Sequence, residues 1–203
     1  GVPVFLMGHS MGGGIVLSFA TRTSTADAVA KLAGVIGSSP MLRLTHPPSS
    51  FTRWSAGKAS AVLPNVLITT PVDGRALSHD QSVGEAFKKD PLVQPRASLQ
   101  TMDAMFSKGE QLLKDPSKWP QNLPLLIVHG GADNVCSPEG SKEFFEKLEA
   151  KDKHLSIFPG GFHELHNEPD GISEKFVDEC VSWAEARLSA NSTSETGATS
   201  SKL

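Results

Sequence analysis

The sequence predicts an α/β domain: a parallel sheet with helices packed on its faces. Three observations predict it. Apolar runs of strand length recur near residues 2–7, 32–37, 123–128 and 154–158. The first three are nearly continuous, as expected of strands covered on both faces. Helix-length segments separate the runs. Finally, the residues best suited to chemistry follow the ends of these runs, where open parallel sheets place their ligands.

The first run, Val2-Pro3-Val4-Phe5-Leu6-Met7, reads as a buried strand and ends in Gly8-His9-Ser10-Met11-Gly12. This is a G-x-S-x-G match, and residues 14–22 after it read as a helix. Strand, sharp turn and helix form the context of a nucleophile elbow. The turn strains the serine backbone so that Oγ stands clear, and small residues on either side let strand and helix approach closely. The competing reading is a flexible glycine turn in which Ser10 only caps a helix. Residues 26–32 continue the helix or add a second turn. Residues 32–40 form the second strand, closed by Ser38-Ser39-Pro40.

From residue 41 to about 115 the pattern breaks into short pieces with scattered prolines, too long for a plain connection. Helices are expected at 50–63, 82–89 and 98–113, and the segment reads as an inserted helical lid. Its apolar residues include Met41, Leu42, Phe51, Trp54, Leu63, Leu67, Met105 and Phe106. They form either the lid's own small core or the lining of an acyl-chain pocket, and the sequence does not choose. Leu123 to Gly131 is the third strand, with Asp133 just past its end. Ser137 and Pro138 suit the N-cap and first position of a helix running to about Ala150. His154 to Phe158 is the fourth strand, and residues 160–166 are the loop after it. A terminal helix covers residues 172–188. Residues 189–203 are rich in Ser, Thr and Gly and are expected to be a disordered tail, leaving 1–188 as the domain.

With a net charge of −3 and no basic block, nothing argues for a nucleic-acid partner, and none is expected. Two cysteines, Cys136 and Cys180, are too few for a disulfide framework and suit a reducing compartment. There is no apolar run of membrane-span length and no secretory signal. The chain begins at Gly1 and enters a strand at once. A strand that reads as fully buried rarely opens a domain, so upstream sequence is expected to be missing.

Three residues follow strand ends in the order Ser10, Asp133, His163. That is the order of α/β-hydrolases and differs from both main serine-protease folds. A serine hydroxyl needs a base to remove its proton, and a carboxylate fixes the tautomer of a histidine base. Ser10 is therefore the candidate nucleophile, His163 the base and then acid, and Asp133 the orienting carboxylate. The backbone N–H of Met11 is a candidate oxyanion donor. The second donor normally comes from a loop after an earlier strand, which this chain does not hold. His166 competes with His163, which lies nearer the strand end. Asp152 and Asp170 compete with Asp133, but only Asp133 follows a strong buried strand. His9 and His129 are expected to be structural, and Cys136 is a small buried thiol or a neighbour of the site. His163-Glu164-Leu165-His166 is one residue short of H-E-x-x-H, so no metal is expected, and no cofactor.

At these residues the chain resembles the monoacylglycerol lipase family of α/β-hydrolases, within the wider serine-aminopeptidase-like group. Gly8-His9-Ser10-Met11-Gly12-Gly13 resembles the family's nucleophile motif. Leu77-Ser78-His79-Asp80, with Phe87-Lys88-Lys89-Asp90-Pro91-Leu92-Val93, resembles its lid segment. His129-Gly130-Gly131-Ala132-Asp133-Asn134-Val135-Cys136 resembles the acid motif, and Phe162-His163-Glu164-Leu165-His166-Asn167-Glu168 the histidine motif. The resemblance extends to about Leu188. It implies that His163, the first histidine of its motif, is the catalytic one. It also implies an eight-stranded sheet of which this chain holds the last four strands. The expected activity is hydrolysis of monoacylglycerols or similar lipid esters through an acyl-enzyme. Lysophospholipid, acyl-CoA or peptide substrates are alternatives on the same scaffold, and an inactive fragment is another reading. Transient membrane or lipid-droplet contact through the lid is expected. Ser201-Lys202-Leu203 matches a peroxisomal address read by an import receptor; otherwise the protein is expected in the cytoplasm or at a lipid surface.

Overall fold

The computed structural model describes residues 2–197. The chain opens with strand β1 (Val4–His9), helix α1 (Met11–Ala20), the single-turn helix α2 (Ala26–Val29) and strand β2 (Leu32–Ser38). An insertion follows: α3 (Ser50–Val62), β3 (Leu67–Thr69), α4 (Gln81–Lys89), β4 (Arg96–Ser98) and α5 (Leu99–Lys114). The chain then returns through β5 (Leu125–Gly130), α6 (Pro138–Lys147), β6 (Lys153–Phe158) and α7 (Ile172–Gly197).

The main sheet is parallel throughout, in the order β1-β2-β5-β6. Its register aligns the carboxyl ends, with His9 opposite Ser38 and Ser38 opposite Val128. β5 is buried along its whole length because helices cover both faces. Alternate residues of β5 therefore feed two cores. Leu125 and Ile127 join Leu17, Val35, Phe144 and Leu148 on the face covered by α1 and α6, while Leu126 and Val128 join Ile36, Leu165, Phe176 and Trp183 under α7. Each fully buried leucine of this kind contributes roughly 2–3 kcal/mol relative to an exposed one.

β1 lies at the edge of the described sheet, paired to β2 alone, and Val4, Met7, Met11 and Ile15 are exposed on and beside it, in keeping with the expected lack of preceding strands. Two features depart from the expectations. The insertion holds a small antiparallel pair, β3 with β4, where only helices were expected. In addition, α7 continues to Gly197, past the start of the expected disordered tail at residue 189. Once a helix is nucleated each further residue adds a hydrogen bond, and neither Gly nor Pro intervenes before Gly197. Ser201-Lys202-Leu203 lies outside the described residues.

The question over the insertion's apolar residues receives a divided answer. Met41 and Leu42 are buried, and Leu42 belongs to the core under α1 and α6. Phe51, Trp54, Val62, Leu63 and Leu67 are exposed. No helix among the described residues is long and apolar enough to cross a membrane.

Candidate functional site

The site is built at the carboxyl ends of β1 and β5 and in the loop after β6. Between β1 and α1 the chain turns within one residue, and Ser10 takes a left-handed backbone, with φ 56° and ψ −121°. A non-glycine residue holds such strain only where its surroundings over-determine it. Here Ser10 N–H donates to the Ser38 carbonyl, and the Ser10 carbonyl accepts from Met41 and Gly14. The turn also needs small neighbours. A Cβ on Gly8 would lie 2.3 Å from the Gly12 carbonyl oxygen, and one on Gly13 would lie 2.8 Å from Pro40 Cα.

Ser10 Oγ lies 2.9 Å from His163 Nε2, and His163 Nδ1 lies 2.7 Å from Asp133 Oδ2. Asp133 comes from the turn after β5, and His163 from the loop after β6. The Asp133 side chain is wholly buried. Burial alone would raise its pKa. Hydrogen bonds from His129 and His163 outweigh that and hold the carboxyl below the usual carboxylate range. Its other oxygen, Oδ1, accepts backbone N–H bonds from Val135 and Cys136, at 2.7 and 2.9 Å.

His129 has a larger part than the structural one expected of it. Its Nε2 lies 3.1 Å from Asp133 Oδ2 and 3.1 Å from the Cys136 carbonyl. Both are acceptors, so Nε2 carries the proton, and Nδ1 accepts from the Ser141 hydroxyl at 2.7 Å. Asp133 Oδ2 thus receives two imidazole N–H groups. With Nδ1 of His163 donating to Asp133, its Nε2 is left bare toward the Ser10 hydroxyl. That arrangement lets a proton pass from serine to histidine as a new bond forms at Oγ.

The other candidates stand outside the line from Ser10 to Asp133. The ring of His166 stands 5.1 Å from that of His9 and 6.2 Å from Phe176, and Asp133 binds His163 instead. Asp152 pairs with Arg187, and Asp170 occupies a left-handed turn with φ 57°. His9 packs its ring 4.8 Å from that of His163. Burial, then the neighbouring imidazoles of His163 and His166, push its pKa down to about 3, so it stays neutral. Cys136 is buried, with Sγ 3.7 Å from Met41 Sδ, and burial followed by the Asp133 charge pushes its thiol up. Met11 opens α1, so its N–H has no acceptor within the helix. Ser137 does precede α6, but its side chain makes no capping bond; its N–H donates to the Arg43 carbonyl instead.

Two further supports carried no clear signal in the sequence. Ser39, itself left-handed at φ 41°, donates its hydroxyl to the His163 carbonyl at 2.9 Å. Thr45 does the same for the Asp133 carbonyl at 2.9 Å. Only the Ser-Ser-Pro punctuation hinted at Ser39. Among the described residues no group of three or more His, Cys, Asp and Glu side chains is arranged to hold a metal.

A parallel sheet with a serine on a strained elbow, and acid and histidine in loops after later strands, defines an α/β-hydrolase. The comparisons agree. Residues 1–170 match the serine aminopeptidase S33 family. A monoacylglycerol lipase of Paleococcus ferrophilus superposes with a TM-score of 0.82 at 30% identity, over 91% of this chain and 69% of that one. The monoglyceride lipase of Saccharomyces cerevisiae also gives 0.82, at 27% identity over 92% and 63%. In sequence, a putative monoglyceride lipase of Schizosaccharomyces pombe is 37% identical over 185 residues, covering 90% of this chain and 47% of the relative. Human monoglyceride lipase is 32% identical over 200 residues, covering 95% and 62%. The chain belongs to the serine aminopeptidase S33 family of α/β-hydrolases and, within it, to the monoacylglycerol lipases. It spans about half to two thirds of the length of these relatives.

Proposed function

We propose that the whole protein is a serine hydrolase that cleaves lipid carboxylic esters, monoacylglycerols foremost, with Ser10, His163 and Asp133 as its triad. The observation that carries this reading is the unbroken line from Ser10 Oγ to Nε2 of His163 and from its Nδ1 to Asp133, set on a strained elbow. In the first half-reaction Oγ attacks the ester carbonyl and its proton moves to Nε2. The collapsing tetrahedral intermediate expels glycerol oxygen, which takes that proton. Water then attacks the acyl-serine, gives a proton to Nε2, and leaves the fatty acid and a reprotonated Ser10. The Met11 N–H serves the developing oxyanion. The second donor is expected from the part of the protein that its relatives have and this chain does not span.

Two features support a lipid substrate. A cavity of about 380 Å³ lies beside the elbow, with Met11, Ile15, Met41, Ala104 and Met105 in its wall. The exposed Phe51 and Trp54 of α3 give the insertion an apolar outer surface suited to act as a lid that touches a membrane or lipid droplet. The sequence Ser201-Lys202-Leu203 supports a peroxisomal address, tested by whether residues 189–203 carry a fluorescent protein into peroxisomes.

A fluorophosphonate probe tests the chemistry. In the full-length protein, labelling at Ser10 is expected, and Ser10→Ala abolishes it. A folded wild type that stays unlabelled overturns the reading. Faster turnover of acyl-CoA, lysophospholipid or peptide than of 2-monoacylglycerol would move the substrate within the same triad.

A further inference from the structure

A second buried carboxylate, Glu168, lies five residues beyond His163, and its side chain is wholly inaccessible. Its hydrogen bonds come from two separate places. From the insertion, His79 N–H donates to Oε2 at 3.0 Å, and His79 Nδ1 lies 3.0 and 3.1 Å from the two oxygens. From the histidine loop, Phe162 N–H donates to Oε1. The Ser78 hydroxyl adds a tie, 2.8 Å from the Asn167 carbonyl and 3.2 Å from Glu168 Oε2.

The two segments are joined in other ways too. The His79 ring stacks on Phe162, with centroids 3.8 Å apart, and Glu164 N–H donates to the Leu77 carbonyl at 2.8 Å. Phe162 and Glu164, the residues on either side of His163, are therefore both anchored to residues 77–79. Among the described residues, the hydrogen bonds of His163 itself are those of its side chain to Ser10 and Asp133 and of its carbonyl to Ser39. Burial disfavours the charged form of Glu168, but hydrogen bonds from the backbone of His79 and Phe162 hold its pKa below the usual carboxylate range. An amide at this position accepts through one oxygen and turns an N–H₂ toward a donor, so the charged form is the one that fits.

We propose that Glu168 is a positioning residue for His163: it fastens residues 78–79 of the insertion to Phe162 and so fixes the loop that presents Nε2 to Ser10. The insertion is then part of the catalytic geometry, and a displaced 77–79 segment would retract the base. The inference rests on the serine-hydrolase reading above.

The test compares wild type with Glu168→Gln in the full-length protein. It measures the fluorophosphonate acylation rate at Ser10, kcat and KM on monoacylglycerol, and the downfield proton resonance of the His163–Asp133 hydrogen bond. The expected result is acylation and kcat at least tenfold slower, KM within twofold, and a shifted or broadened resonance. A merely structural role would lower the melting temperature and leave that resonance and the acylation rate of the folded protein in place, which overturns the proposal. Should Glu168→Gln fail to fold, His79→Ala decides. It keeps both backbone bonds to Glu168 and removes the imidazole tie and the stack, so two- to fivefold slower acylation is expected, and an unchanged rate overturns the proposal. A wild type that does not label would instead defeat the hydrolase reading itself.

Discussion

The strand-end site and helix α3 of the insertion are built on opposite rules. At the site, each buried polar group meets a partner: Asp133 receives four donors, and His129 is used at both ring nitrogens. Backbone segments there touch at distances that leave no room for a side chain. Helix α3 buries only Ser60 and is held by the Ser49 cap and by the Arg53 pairs with Asp103 and Glu110, whereas deeper parts of the insertion bury Leu42, Leu77, Leu112 and Leu113. The helix leaves Phe51, Trp54 and Val62 outside. A saturated polar network in a dry setting is stiff, and a single change propagates through it. A segment with few buried apolar contacts has slack and opens at lower cost. The candidate triad lies in the first region and the exposed Phe51 and Trp54 in the second, and Glu168 bonds the insertion to the histidine loop through His79 and Phe162.

The largest break in that contrast comes from Asp133→Asn. The amide oxygen would stay with the Val135 and Cys136 N–H groups, which puts N–H₂ where Oδ2 met His163 and His129. Nδ1 of His163 must then accept, its proton moves to Nε2, and the base faces Ser10 with the wrong tautomer. The expected loss in kcat/KM is about 10⁴-fold, with Ser10 still present to be labelled slowly by the probe. A loss below tenfold would show that the carboxylate does not set the tautomer. Gly130→Ala comes next. Its Cβ would lie 2.1 Å from the Phe162 carbonyl oxygen and 2.4 Å from that of Gly161, both backbone atoms. The loop carrying His163 must move away, and a shift near 1 Å costs on the order of a hundredfold in rate. Stopped-flow acylation of the folded variant checks this.

The contrast also marks what could be read in advance. β5 was legible because both faces are covered, so its residues need no alternation. The juxtaposition of Ser10, Asp133 and His163 was legible because each follows a strand, and parallel strands end on the same side. β1 was legible through a mismatch: composition reports what a strand is suited to touch, β1 meets only β2 among the described residues, and a missing neighbour was expected for it. β3 and β4 escaped notice because three-residue strands show no periodicity, and their pairing, Leu67 with Ser98, joins positions far apart in sequence. His129 and Glu168 were hidden for a related reason. Their meaning depends on Ser141, the Cys136 carbonyl, His79 and Phe162, which only the fold brings near.

A smaller effect asks whether the stiffness of the site is electrostatic as well as steric. His9 has its pKa lowered from 6.5 to about 3, by burial first and neighbouring imidazoles second. Between those values the unfolded chain binds the extra proton and the native chain does not, so stability falls as pH falls from 6.5 toward 3 and is flat above that window. From pH 6.5 to pH 5 the loss assigned to His9 is at most about 2 kcal/mol. Urea unfolding at both values is expected to show this slope in wild type and a weaker one in His9→Gln. Equal slopes would mean that His9 takes up its proton in the native state.

The smallest effect tests the slack of the insertion, using the same kind of substitution that is damaging at Gly130. Gly57 lies inside α3, and an added Cβ would meet only Asp103 Oδ1 at 3.4 Å and Arg53 Nη1 at 3.6 Å. Both are ends of side chains that can shift by a few tenths of an ångström. Glycine within a helix carries a conformational-entropy cost of about 0.5–1 kcal/mol relative to alanine. Gly57→Ala is therefore expected to raise the melting temperature by about 1–4 °C and to leave acylation at Ser10 unchanged. The sign is what matters: a lowered melting temperature would show that the Arg53–Asp103 pair cannot yield and that the insertion is as tightly constrained as the strand ends. A raised one, set beside the damage from Gly130→Ala, would place the boundary between stiff and yielding parts of the molecule within the insertion, between α3 and the 77–79 segment that Glu168 holds.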